Sequence, residues 1–349
     1  MRRISLLVAL FALLVSSAAV AGHGGKKQVA WQLTPTGSTA RFRGLSAVSK
    51  KVAWVSGTGG TVLRTSDRGG TWQSVGPPGV PTLQFRDIEA FNQDDAVILS
   101  IGTGTDSRIY VTSDGGAHWT LAFQNTEPTA FYDCMAWFDH KHGLAMSDPV
   151  AGKFRIIATD DGGLSWHVTG LNMPPALPNE AGFAGSGQCI TTQGGDRAWF
   201  GTGGGAQARV FRSDDRGATW QVSATPVHSS PSAGIFAVDF RDPNHGFAAG
   251  GDFAAPTASP DAFALSDDGG VTWRLVPGAP DEYRSGGTWV DGHTIILVGP
   301  SGSDISRDRG ETWQRFDTGS FDTVDCAGHA CWASGEQGRV ARLVKLKHH

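Results

Sequence analysis

Six copies of one eight-residue turn dominate this chain. Thr65-Ser-Asp-Arg-Gly-Gly-Thr-Trp72, Thr112-Ser-Asp-Gly-Gly-Ala-His-Trp119 and Thr159-Asp-Asp-Gly-Gly-Leu-Ser-Trp166 come first. Ser213-Asp-Asp-Arg-Gly-Ala-Thr-Trp220, Ser266-Asp-Asp-Gly-Gly-Val-Thr-Trp273 and Ser306-Arg-Asp-Arg-Gly-Glu-Thr-Trp313 follow. Their shared aspartates, Asp67, Asp114, Asp161, Asp215, Asp268 and Asp308, lie 47, 47, 54, 53 and 40 residues apart. A period of about 40–50 residues with strand-like filling means a propeller or a related array. Each unit has an apolar run such as Val52-Ala-Trp-Val55, a Gly-rich loop, and a second strand such as Ile109-Tyr-Val-Thr112. The Asp/Gly/Trp turn and an outer strand beginning at the Trp complete it. Runs this uniformly apolar suit strands covered on both faces by neighbouring sheets.

The two ends supply the count. Trp31-Gln32 opens a strand as Trp72-Gln73, Trp220-Gln221 and Trp313-Gln314 do, yet no Asp motif precedes it. After the sixth motif, the chain from Val324 to Val344 contains three strands of a further unit and stops. The N-terminal strand is therefore expected to complete the last blade, which pairs the ends and closes the ring. The expected fold is an all-β, seven-bladed propeller of four-stranded antiparallel blades.

Arg2 and Arg3 precede an apolar run, and Ala19-Val20-Ala21 offers a small-residue exit, the pattern of a secretory signal peptide over residues 1–21. Residues 22–349 then form one propeller domain, expected to be exported to the periplasm or secreted, not membrane-spanning, and monomeric. Removing the two leader arginines from 29 basic residues leaves 27 against 33 acidic ones. A mildly acidic chain without a basic cluster makes a nucleic-acid partner unexpected. Charged residues make up 18% of the chain while glycine reaches 48 residues, a balance that favours tight turns and covered strands over disorder.

The six turns resemble the Asp-box, or bacterial neuraminidase repeat, with its Ser/Thr-x-Asp-x-Gly-x-Thr-Trp pattern. Their phrasing is most similar to the photosystem II stability/assembly factor-like family. That resemblance implies an exported seven-bladed propeller holding client proteins during complex assembly. Sialidases share the repeat, but their Arg-Ile-Pro motif is missing from this sequence, and its early arginines stand in Thr39-Ala-Arg-Phe-Arg-Gly44. Xyloglucanase-type glycosidases use two tandem propellers, more than this length supplies.

The motif aspartates are read as structural: a turn aspartate accepts backbone N–H groups one or two residues on, glycine supplies positive φ, and the Trp fills the gap between blades. Calcium at Asp160-Asp161 or Asp267-Asp268 lacks further ligands at a suitable spacing. Gly201-Thr-Gly-Gly-Gly205 and Gly102-Thr-Gly104 precede strands where a phosphate loop needs a helix. His140, His142, His245, His293 and His329 recur at the first-to-second turns, so no metal site is expected of them. Cys326 and Cys331 flank a predicted hairpin and are expected to pair. Cys134 and Cys189 fall on inner strands of successive blades, where a bridge is open to them.

In an up-and-down blade the motif turns share one end of the ring with the first-to-second turns. Non-repeating residues then gather at the opposite rim, where two insertions also fall, the blade link 171–187 and the loop 250–261. Asp133, Asp148, Glu180, Asp252, Tyr283, Arg284 and Asp304 are the binding candidates there, because long loops on a rigid scaffold carry binding. The expected function is a non-catalytic platform binding an envelope or periplasmic protein at that rim, with no cofactor. The alternative is a propeller enzyme: a glycosidase with two rim carboxylates at catalytic spacing, or an oxidoreductase with a bound cofactor. In that alternative the ligand is a small carbohydrate or a cofactor.

Overall fold

A computed structural model describes residues 28–170 and 172–345. The leader 1–21 lies outside them. The described chain forms seven four-stranded antiparallel sheets, which make the molecule a seven-bladed β-propeller. Blades 1 to 6 span 42–74, 84–124, 132–169, 190–224, 233–275 and 286–317. Blade 7 takes its three inner strands from Thr323–Ala327, Ala330–Ser334 and Val340–Lys345, and its outer strand is Val29–Leu33. Trp31 lies opposite Leu343 in that pairing, so the two ends of the chain close the ring as the sequence implies. No helix among the described residues is long and apolar enough to cross a membrane.

The apolar residues sort into seven clusters, each sandwiched between two neighbouring blades. Stacked sheets need both faces apolar, which is why the inner strands read as unbroken runs. The motif tryptophans have one place each in this scheme. Trp72 packs into the interface of blade 1 with blade 7, Trp119 into that of blade 2 with blade 1, and Trp220 into that of blade 4 with blade 3. Trp166, Trp273 and Trp313 repeat the pattern. Trp31 fills the seventh place, between blades 7 and 6, where its indole N–H donates to Ser303 Oγ of blade 6 at 2.9 Å.

The aspartates reach further than the local turn expected of them. Asp67 Oδ1 accepts the backbone N–H of Thr71, four residues on, at 2.9 Å, and Oδ2 accepts the Thr71 hydroxyl at 2.8 Å. The Thr65 hydroxyl donates to Asp67 and itself accepts the Gly69 N–H. The other five turns repeat this lattice; in the third, Asp161 is committed to Thr159 and Ser165. Four residues enclose a full loop, whereas the expected one or two would have capped only a bend. Bonds from His118 hold the Asp114 carboxyl down at about 2. The second residue after each motif aspartate is a glycine with positive φ, from 76° at Gly69 to 91° at Gly310, and a Cβ at Gly69 would stand 2.6 Å from the Thr34 side chain. The residue before it also has positive φ and tolerates arginine, as at Arg68 and Arg216.

Each motif turn is bonded to the first-to-second turn of its own blade, as Arg68 N–H to Lys51 O and Gly115 N–H to Asp94 O show. Both turn types therefore occupy one end of the ring. Two disulfides complete the framework: Cys326–Cys331 ties two facing strand residues of blade 7, and Cys134–Cys189 ties blade 3 to the start of blade 4.

Candidate functional site

The inner strands of four blades carry a register shift at one equivalent place, and the extra residues are Arg43, Arg86, Asp133 and Phe236. A bulge frees a side chain from the alternation of the sheet and re-aims it, and bulges collect beside binding sites. All four stand in the half of the strand away from the motif turns, so they gather at the opposite mouth of the channel. The link between blades 3 and 4 crosses that mouth. Arg86 donates to Ala184 O at 3.0 Å, Phe183 stacks on Phe236, and Gln188 extends to Gly287 O at 3.0 Å and Val324 O at 2.9 Å in blades 6 and 7.

Three arginines converge here. Arg41 grips Asp322 through two hydrogen bonds of 2.7 and 2.6 Å, which neutralises it. Arg86 is pushed down to about 10 by burial and by the nearby charges of Arg43 and Arg41. Arg43 is half-buried, and its Nε has no partner among the described residues. Burial and Arg41 lower its pKa as well. A partly desolvated guanidinium with an unsatisfied N–H is costly to the fold and ready to take an anion.

The residues singled out from the sequence lie around this mouth but divide by task. Asp133 is 1% exposed, and burial, then the charge of Asp148, holds it well above the usual carboxylate range. Asp148 Oδ1 accepts the Gly182 N–H of the link at 2.7 Å, while burial lifts its carboxyl to about 6. Glu180 is buried against Arg209, accepts the Thr202 hydroxyl at 2.6 Å and holds the Leu177 N–H. Arg284 is fully buried; it donates to Asp304 at 2.8 and 2.6 Å and also reaches Glu282 and Ser301. Asp252 caps its own loop by accepting the Ala254 N–H at 2.8 Å. Tyr283 is buried with its ring edge-on to Phe236, centroids 4.7 Å apart. Asp133, Asp148 and Tyr283 thus come together against the link, whereas Glu180, itself on the link, is taken up in a buried ion pair with Arg209, and Arg284 in one with Asp304.

Arg41, Arg43, Arg86, Phe183, Phe236 and Phe253 were not among those candidates. A signal for two of them was present: Phe42-Arg43 and Phe85-Arg86 repeat, with each arginine ten residues ahead of the alanine that opens the second strand, Ala53 and Ala96.

On the motif-turn side of Gln188 lies a cavity of about 190 Å³ whose lining includes Asp87, Glu89, Asp239 and Asp325. Burial raises all four; Asp87 and Glu89 reach about 8 and Asp239 about 6. Asp87 spans the strands by accepting the N–H groups of Met135 and Ile88 at 2.6 and 2.8 Å.

No protein-family model matches the chain, and no curated protein sequence does. Solved structures do. YCF48 bound to D1 peptide is similar with a TM-score of 0.65 at 14% identity, over 90% of this chain and 95% of that one. YCF48 from Cyanidioschyzon merolae gives 0.61 at 15%, over 90% and 98%. The WD40 β-propeller domain of Doa1 gives 0.62 at 12%, over 91% and 98%. These likenesses concern the fold, which hosts many unrelated activities.

Proposed function

We propose that this propeller is a non-catalytic platform that binds a segment of a partner protein at the mouth crossed by the link of residues 172–187. The partner is an envelope or periplasmic protein whose assembly or stability it serves. The observation that carries the reading is the set of bulges aiming Arg43, Arg86 and Phe236 into one mouth, with Arg43 left unpaired. The likeness to YCF48 bound to D1 peptide supports a peptide as the occupant of such a ring. Two disulfides fit an exported protein. The motif turns, read as Asp-boxes, hold blades together and leave binding to the other rim. Asp133 and Asp148 serve here to hold the link, with Asp133 packed beneath Gly182.

In-cell cross-linking with mass spectrometry tests this, comparing wild type with an Arg43→Ala/Arg86→Ala variant of equal abundance and melting temperature. One protein captured by wild type and lost from the variant is the expected result. A partner captured equally by both sinks the assignment of the mouth.

A further inference from the structure

Both insertions flagged by the repeat spacing carry an aromatic ring at one side of the mouth. The link brings Phe183, and the loop after strand Gly246–Asp252 brings Phe253. Phe236 stands between them. Phe183 lies flat on Phe236 with centroids 4.2 Å apart and planes at 14°, and Phe253 stands edge-on to both at 6.3 Å.

Phe253 is 51% exposed, and it is the one aromatic ring among the strongly exposed large apolar side chains of the described residues. Its loop is nevertheless built to hold it there. Phe253 N–H donates to Ser232 O at 3.1 Å, Asp252 N–H to Ser259 Oγ at 3.0 Å, and Ser259 N–H to Asp281 O at 2.8 Å. Exposed apolar surface costs about 25 cal/mol per Å² relative to burial, so a pinned, half-exposed ring is a surface waiting for cover.

We infer that Phe253, backed by Phe183 and Phe236, is an apolar subsite that takes one large apolar side chain from a linear acidic segment of the partner. The inference rests on the mouth being the binding face. Charge selects the occupant: Arg43 and Arg86 beside the rings call for an anionic group next to the apolar one. The two subsites are contiguous, because the Ala184 carbonyl that receives Arg86 directly follows Phe183. Arg43 is half-buried, which favours an extended segment over a flat protein face as its partner. Rigid aromatic rings beside arginine are the usual composition of interface hot spots.

Selection from a random 12-residue peptide phage library on the purified full chain tests this, run in parallel on Phe253→Ser and on Arg43→Ala/Arg86→Ala. Wild type is expected to enrich peptides with an acidic residue within a few positions of Phe, Leu, Trp or Met. Phe253→Ser should keep the acidic preference and lose the apolar one. The best peptide, resynthesised, should bind Phe253→Ser about tenfold or more weakly. Enrichment of acidic peptides with no apolar preference overturns the subsite and leaves the platform standing. Equal binding to Phe253→Ser does the same. No enrichment by wild type overturns both. Phe253 is exposed, and an unchanged melting temperature confirms that its substitution spares the fold.

Discussion

Arg41 and Asp322 hold each other through two hydrogen bonds, and this pairing leaves Arg43, two residues further on, with no hydrogen-bond partner at its buried Nε. Neighbouring cations have thus been given different tasks. One ties blade 1 to blade 7, and the other stands at the mouth without a hydrogen-bonded partner at Nε.

Replacing the unpaired member should separate binding from stability. Arg43→Met removes a half-buried guanidinium whose Nε lacks a partner and keeps a similar reach of apolar stem. The variant is expected to melt at the wild-type temperature or above it while losing partner capture. A clear drop in melting temperature by calorimetry would show that Arg43 braces the fold.

The Arg284–Asp304 pair should behave in the opposite way. Both groups are buried, so Arg284→Ala leaves Asp304 with the more exposed Arg315 and should cost about 3–5 kcal/mol. Urea unfolding measures this, and a loss below about 1 kcal/mol would contradict the bracing role.

The acid-lined cavity sets a pH dependence with a definite sign. Folded Asp87 and Glu89 retain protons up to about pH 8, which the unfolded chain releases near 4. The stability they contribute is fully present below about pH 4 and is lost as pH rises through that window. Glu89→Gln removes one of the two. Its melting temperature should exceed wild type at about pH 8.5, by roughly 2 °C or more, and match it near pH 4. The same offset at both pH values would assign the effect to packing.

The two disulfides should differ in worth. Loop-closure entropy assigns about 4 kcal/mol to a bridge spanning 55 residues and about 2 kcal/mol to one spanning 5. Cys134→Ser/Cys189→Ser is therefore expected to lower the unfolding midpoint more than Cys326→Ser/Cys331→Ser. The reverse order in parallel denaturation curves would contradict this.

Trp31 is the test of ring closure. Trp31→Ala empties the seventh interface slot and removes the bond to Ser303, a loss of about 3–5 kcal/mol. Hydrogen exchange should show the strand Val340–Lys345 opening before the strands of blades 2 to 5. Uniform loss of protection around the ring would argue that closure is not the weak point.

The architecture was legible because its signals are local and repeated. Six aspartates at regular spacing mark six blades, and Trp31 without its aspartate marks the seventh. The mouth was less legible because bulges obey pairing across strands, which no single strand displays. Arg43 and Arg86 read as ordinary alternating residues until the register shift turns them. Glu180 and Arg284 read as rim charges, yet each has a buried partner, 29 and 20 residues away, that sequence proximity does not reveal. The aspartate lattice was underestimated for a smaller reason. A turn rule written for one or two residues does not anticipate a bond to the fourth.

The closure of blade 7 also carries a schedule. Val29–Leu33 is the first strand of the ring to be made, and its partner Val340–Lys345 the last. During synthesis the early blades can stack as they emerge, but the first strand has nowhere to dock, and the outward apolar faces at both ends of the growing arc stay uncovered. The finished ring has no such faces. A nascent chain of this design therefore passes its most aggregation-prone moment late, just before the first and last strands of the ring meet, so whatever shields it must still be present when Val340–Lys345 arrives.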